Sequence, residues 1–119
     1  MKIDIHRRKF VLANKTGGMS GPAIKPVAVR MVYQVSHACK LPIIGMGGIL
    51  TGEDAIEMMM AGATMVSVGT ANFHNPRATM EVLDGMKAYM ERYHIEDINE
   101  IIGSVSYTHL RAHETGRNL

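Results

Sequence analysis

Two short apolar runs, each closed by a glycine turn and followed by a helix-like segment, limit this chain more than any other feature of its sequence. Residues 41–46, Leu-Pro-Ile-Ile-Gly-Met, stop at Gly47-Gly48, and residues 64–68, Thr-Met-Val-Ser-Val, stop at Gly69-Thr70. Such runs predict strands buried on both faces of a parallel sheet, where alternation is lost because neither face meets water. Between them, Thr51 has the hydroxyl of an N-cap, Glu53 and Asp54 suit the positive end of a helix, and Gly62 suits its C-cap. The triple Met58-Met59-Met60 in that helix reads as core filling. Strand, glycine turn, helix, repeated, is the pattern of parallel βαβ units with short loops, and so of an α/β fold.

The flanks extend this pattern. Residues 25–38 place Val27, Val29, Met31, Val32 and Val35 at broadly helical spacing, and Pro26 suits a first turn because its missing N–H has no partner there. After Asn75-Pro76, residues 78–93 set Met80, Val82, Leu83, Met86 and Met90 against Glu81, Asp84, Lys87 and Glu91, an amphipathic helix. Residues 98–102 add a short amphipathic piece. At the front, apolar runs at 1–5 and 10–13 flank the polar stretch 6–9, which predicts a small hairpin or an extended loop. The loop that follows, Asn14-Lys15-Thr16-Gly17-Gly18-Met19-Ser20-Gly21-Pro22, packs three glycines into five positions. Such density marks backbone that takes positive φ or lies close to a ligand.

Composition excludes several classes. Hydrophobic residues make up 46% of the 119 positions and come in short runs, far below the roughly 20 consecutive apolar residues of a membrane span. The first nine residues mix Lys2, Asp4, His6, Arg7 and Arg8 and lack the apolar core of a secretory signal, so the expectation is a cytoplasmic protein. The single cysteine, Cys39, cannot make an internal disulfide or a cysteine-based metal site. A net charge of +2, with scattered basic residues and no interleaved aromatics, argues against nucleic acid as a partner. The basic cluster around Arg7 reads as a solvated turn.

The chemistry therefore concentrates at the glycine turns. In a closed parallel sheet both would emerge at the carboxyl ends of the strands, where barrel enzymes place their active sites and often a phosphate site. Glycine lets main-chain N–H groups approach a phosphate with no Cβ in the way, helix amino termini add favourable potential, and the Thr70 hydroxyl can donate one further hydrogen bond. The loop at residues 17–21 would form a third wall.

Taken together, Asn14-Lys15-Thr16-Gly17-Gly18-Met19-Ser20-Gly21-Pro22-Ala23-Ile24-Lys25-Pro26, Ile43-Ile44-Gly45-Met46-Gly47-Gly48-Ile49, Ala61-Gly62-Ala63 and Val68-Gly69-Thr70-Ala71-Asn72-Phe73 resemble class 1 dihydroorotate dehydrogenases, most closely the B-type catalytic subunit. The resemblance runs from Met1 to about Ser104, with Met19 standing where relatives often have leucine. It implies the C-terminal part of a (β/α)₈ TIM barrel, about two βα units plus terminal helices, that binds FMN. Gly21, Gly47, Gly48, Gly69 and Thr70 fall at the family's flavin-contacting positions. In that family (S)-dihydroorotate loses a proton from C5 to a cysteine base and a hydride from C6 to flavin N5, giving orotate for pyrimidine synthesis. The resemblance also implies a homodimer whose electrons pass through a subunit carrying FAD and an iron–sulfur cluster to NAD.

The expectation is a fragment, residues 1–104, lacking the earlier strands and the cysteine base, and inactive alone. Cys39 does not fill that gap: it falls at a helix end away from the carboxyl face and reads as a buried or half-buried structural thiol. Residues 105–119 hold no period, resemble translated adapter sequence, and read as a non-native tail. His109 and His113 in it have helical metal-ligand spacing but lack the accompanying Glu of zinc proteases, so no metal site is expected. Two other readings compete with the first: a phosphate-gripping isomerase or lyase on the same scaffold, which the loop at 17–26 argues against, and a self-contained binding module.

Overall fold

A computed structural model describes residues 1–106. The chain opens with a two-stranded antiparallel hairpin, β1 (Ile3–Asp4) and β2 (Lys9–Phe10), with Ile3 opposite Phe10 and Asp4 opposite Lys9. The Asp4 carboxylate accepts from the N–H groups of His6 and Arg7, and Arg8 takes positive φ, so the polar stretch turns the chain. Irregular backbone then leads to a single 3₁₀ turn, Pro22–Ile24, and directly into α1 (Lys25–Ala38). Both prolines sit at the start of their helical segments, where the lost N–H costs nothing.

Two βα units follow. Strand β3 (Ile44–Met46) leads to α2 (Gly52–Ala61), and β4 (Met65–Ser67) leads to a short α3 (Ala71–His74) and then α4 (Ala78–Arg92). β3 and β4 pair in parallel, Ile44 with Met65, Gly45 with Val66 and Met46 with Ser67. Helix α2 is bounded as its sequence requires. The Thr51 hydroxyl accepts from the Asp54 N–H, the Asp54 carboxylate accepts from the Thr51 N–H, and Gly62 ends the helix at φ 133°.

The core lies between the sheet and the helices. Val32 of α1, Ile49, Ala55, Met58 and Ala61 of the α2 unit, Ala63 and Val82 of α4 form one cluster; Ile56, Met59 and Ile101 form a second. Met58 is fully buried, so the methionine triple does fill the core. Gly45 keeps the sheet close to α2, since a Cβ there would lie 3.0 Å from the Ala63 Cβ and 3.3 Å from Met58. A second 3₁₀ turn, Ile98–Glu100, capped by the Asp97 carboxylate, brings Ile101 into the core beside it.

Three expectations need correction. The strands are buried on one face only: Gly45 and Val66 face the helices, whereas Ile44, Met46 and Met65 are 55%, 58% and 61% exposed. Their apolar character suits a second covering layer that no described residue supplies. For the same reason Val27, Met31 and Val35 of α1 and Met80 and Leu83 of α4 are exposed, although their spacing reads as a buried face. Finally, α3 intervenes before Asn75-Pro76, and that dipeptide forms the turn between α3 and α4: the Asn75 side-chain carbonyl accepts from the Arg77 N–H. Residues 107–119, with His109 and His113, lie outside the described residues.

Candidate functional site

The parallel register places the turns that follow β3 and β4 side by side at the carboxyl ends of the strands. Between them and the loop before α1 lies a cleft of about 610 Å³. Gly21, Gly47, Gly48, Gly69 and Thr70 all line it, whereas Gly17 and Gly18, expected in the third wall, do not. Met19, Ser20, Pro22 and Ile24 continue the first wall, Ile49 and Leu50 the second, and Ser67, Ala71 and His74 the third, while Ala28, Met31 and Met46 complete the lining.

Each glycine is there for its own reason. Gly21 adopts φ 94°, ψ −174°, a region open essentially only to glycine. Gly47 adopts φ 114°, and a Cβ would also press on the Ala28 Cβ at 3.0 Å. Gly48 combines φ 74° with close packing: a Cβ would meet the Gly21 carbonyl oxygen at 2.7 Å and the Lys25 Cβ at 2.8 Å. The first two walls therefore touch through Gly48. At Gly69 the position is different, because its φ is ordinary and a Cβ would meet nothing within 4 Å. Its value is the open approach to its backbone. Earlier in the loop, by contrast, Gly18 needs neither positive φ nor space, Gly17 merely makes room for Leu12, and Lys15 takes positive φ as Gly21 does.

Thr70 occupies the N-cap position of α3, but its hydroxyl makes no capping bond, which leaves it available to the cleft. The turn carrying it is fixed by Asn72, whose amide donates to the Val68 carbonyl at 2.8 Å and accepts from the Thr79 hydroxyl at 3.1 Å. That tie joins the third wall to α4.

The amino terminus of α2, expected to lend positive potential, is largely spoken for. The Asp54 carboxylate accepts from the Leu50 N–H at 3.0 Å and the Thr51 N–H at 3.1 Å, and from the Lys25 ammonium at 2.7 Å. Lys25 also reaches Glu57 at 2.9 Å. Burial pushes the Asp54 carboxyl upward, but the Lys25 bond and the two N–H bonds outweigh it and hold the group below its ordinary range. The Asp54 bond, then Glu57, raises the Lys25 ammonium above its ordinary range. Any grip on an anion thus falls to the glycine turns and Thr70. Among the described residues no carboxylate lines the cleft.

Sequence reasoning missed the Lys25–Asp54 pair, Asn72 and His74. The first was masked by the separation of 29 residues between its partners, the second by its appearance as one polar residue in a turn. Cys39 is half-buried at the end of α1, beside a separate depression at the amino ends of the strands with Lys40 and Leu41, as a structural thiol would be.

Comparison with known proteins agrees with this geometry. The family model for dihydroorotate dehydrogenase matches residues 1–90. The catalytic subunit of dihydroorotate dehydrogenase B (NAD(+)) from Alkaliphilus oremlandii is 71% identical over 105 residues, covering 88% of this chain and 35% of the relative. The same subunit from Lachnoclostridium phytofermentans is 67% identical over the same coverage. The chain thus spans about a third of the length of the curated relatives it matches. Among solved structures, the dihydroorotate dehydrogenase of Eimeria tenella in complex with ferulenol aligns with a TM-score of 0.69 at 30% identity, covering 78% of this chain and 26% of that one. From the matched family model and the shared architecture, the chain belongs to the dihydroorotate dehydrogenase family, and its two βα units are part of a (β/α)₈ barrel.

Proposed function

We propose that the chain forms the carboxy-terminal part of the catalytic subunit of an NAD-linked dihydroorotate dehydrogenase and supplies much of its grip on the phosphate of FMN. The observation that carries this reading is the convergence of Gly21, Gly47, Gly48, Gly69 and Thr70 on one cleft that, among the described residues, no carboxylate lines. An anion held by main-chain N–H groups needs such walls, because a side chain would hold it off and a carboxylate would repel it. The fit is good at Gly69, whose missing Cβ leaves open space, and at Thr70, whose hydroxyl makes no capping bond. The exposed Met46 and Met19 add apolar surface suited to a flat ring system.

When bound, FMN would accept the hydride that dihydroorotate gives up on becoming orotate in pyrimidine synthesis. The chain's own residues bind and orient: the glycine turns fix the phosphate, Thr70 donates to it, and Asn72 holds the Thr70 turn in place. Cys39 is not placed to act as the base, since it lies at the other ends of the strands. The base cysteine belongs to the upstream part of the parent. We place the parent in the cytoplasm as a homodimer, working with an FAD and iron–sulfur subunit linked to NAD; none of the described helices is long and apolar enough to cross a membrane.

The test is to express the full-length parent and release its cofactor. A yellow protein with stoichiometric FMN and dihydroorotate-dependent bleaching of its flavin is the expected result. A folded, colourless protein that takes up no FMN on reconstitution overturns it.

A further inference from the structure

Lys25 lies immediately after the loop that forms the first wall of the cleft, and a lysine there looks suited to contact a phosphate. The geometry gives it another task. Its ammonium is held between two carboxylates, at 2.7 Å from Asp54 and 2.9 Å from Glu57, with the Lys25 side chain only 26% exposed. The Asp54 carboxylate is in turn shared: Oδ1 takes the lysine, and Oδ2 accepts from both Leu50 and Thr51, the residues that follow the Gly47-Gly48 turn. One carboxylate thus ties the end of the first wall to the end of the second. The two walls already touch at Gly48, where the Gly21 carbonyl and the Lys25 backbone leave no room for a Cβ.

We propose that Lys25 and Asp54 are positioning residues that fix the spacing of the Gly21 and Gly47-Gly48 backbones and so set the affinity of the cleft for the cofactor's phosphate without touching it. This rests on the cofactor reading above. Glycine-rich walls have large conformational freedom, and a clamp placed behind them removes that freedom before the ligand arrives, which is where preorganisation gains affinity. Three charge-assisted hydrogen bonds on a partly buried carboxylate are well suited to the purpose. The link is also specific in what it should affect. On the cofactor reading it stands behind the walls that hold the phosphate, so loosening it should weaken a phosphorylated flavin and spare an unphosphorylated one.

The experiment uses the full-length parent, stripped of cofactor, with FMN and riboflavin titrated separately by quenching of flavin fluorescence. For Lys25→Met, which keeps the stem volume, FMN affinity should fall by about tenfold, the size of one charged hydrogen bond, with riboflavin affinity unchanged within about twofold. Lys25→Arg should recover most of the FMN affinity, because it restores a cation to Asp54. An equal fall for both flavins, or an unaltered FMN affinity in Lys25→Met, overturns the clamp. Should Lys25→Met not fold, Asp54→Asn is read by the same criterion: selective loss of FMN supports the clamp and parallel loss overturns it. A parent that shows no preference for FMN over riboflavin before any substitution overturns the cofactor reading itself, an outcome distinct from failure of the clamp.

Discussion

Gly52, at the start of α2, and Gly85, in the middle of α4, meet backbone against backbone: a Cβ added at Gly85 would lie 2.9 Å from the Gly52 Cα and 3.0 Å from its nitrogen. Two helices approach this closely only where both lack side chains. The contact seats the amino end of α2, and with it the Leu50–Thr51 segment at the second wall of the cleft, against α4.

Gly85→Ala therefore sets two effects in opposition. Helix propensity favours alanine by about 1 kcal/mol, but the new methyl faces backbone that cannot rotate away, and overpacking of this kind costs about 1–3 kcal/mol. Steric cost wins. A lowered denaturation midpoint in Gly85→Ala is expected, with a larger drop for Gly85→Val, and an unchanged or raised midpoint would contradict the close crossing.

Gly69 and Gly47 separate binding from folding. At Gly69 a valine enters open space at ordinary φ, so stability should hold within about 0.5 kcal/mol, as for other substitutions away from packed sites, while the cleft is obstructed. Gly47→Val must also adopt φ 114° against Ala28, so it should lose stability and cofactor together. Flavin content and melting temperature of the two parent variants give the comparison. Full flavin content in both rejects the site.

Thr70→Val replaces a hydroxyl by a methyl of equal shape. Because that hydroxyl caps nothing, the fold should be indifferent. A hydrogen bond to a charged group is worth about 1.5–3 kcal/mol, so FMN affinity should fall by roughly tenfold to a hundredfold, and Thr70→Ser should retain it. Equal affinity in all three proteins would remove Thr70 from the site.

The ion pair predicts a pH window. Asp54 is held below its ordinary range, so its contribution is complete above the unfolded carboxyl value, about 3.9, and is lost as pH falls through the lower folded value. Lys25 is raised, so its contribution is complete below the unfolded lysine value, about 10.4, and is lost as pH rises through the higher folded value. The stability difference between the unsubstituted parent and its Asp54→Asn variant should accordingly be flat from about pH 5 to 9 and shrink below about pH 4. A difference that grows on acidification would reverse the assignment.

The exposed sheet face makes a prediction for the 119-residue chain by itself. With Ile44, Met46 and Met65 uncovered, it should bind a hydrophobic dye and unfold over a broad range. A sharp cooperative transition without dye binding would mark it as self-sufficient.

Much of this was legible in the sequence because local rules and tertiary structure agree there. Thr51 and Gly62 bound α2, Pro26 opens α1, and the range 25–38 matches the observed helix, since caps and proline act through their own backbone. The glycine turns were visible because φ at Gly21, Gly47 and Gly48 admits little else. Face assignment failed for Val27, Met31, Met80 and Leu83 because periodicity reports that a surface is to be covered, without reporting by what. Lys25 and Asp54 escaped for a related reason. Each is an ordinary residue in its own segment, and only the fold brings them within 2.7 Å.

The pairing of β3 with β4 carries a consequence for chemistry as well as architecture. Ile44 opposite Met65 and Met46 opposite Ser67 is a constant offset of 21 residues (65 − 44 and 67 − 46), and two steps further it brings Gly48 level with Gly69. A slip of one residue would displace the turns by about 3.3 Å, a full hydrogen-bond length, and would also turn Ile44 and Met46 toward the helices in place of Gly45. The fit of Gly45 against Ala63 is thus a vernier for the proposed anion site: the contact that makes the sheet pack is the one that brings two separate loops to the same height.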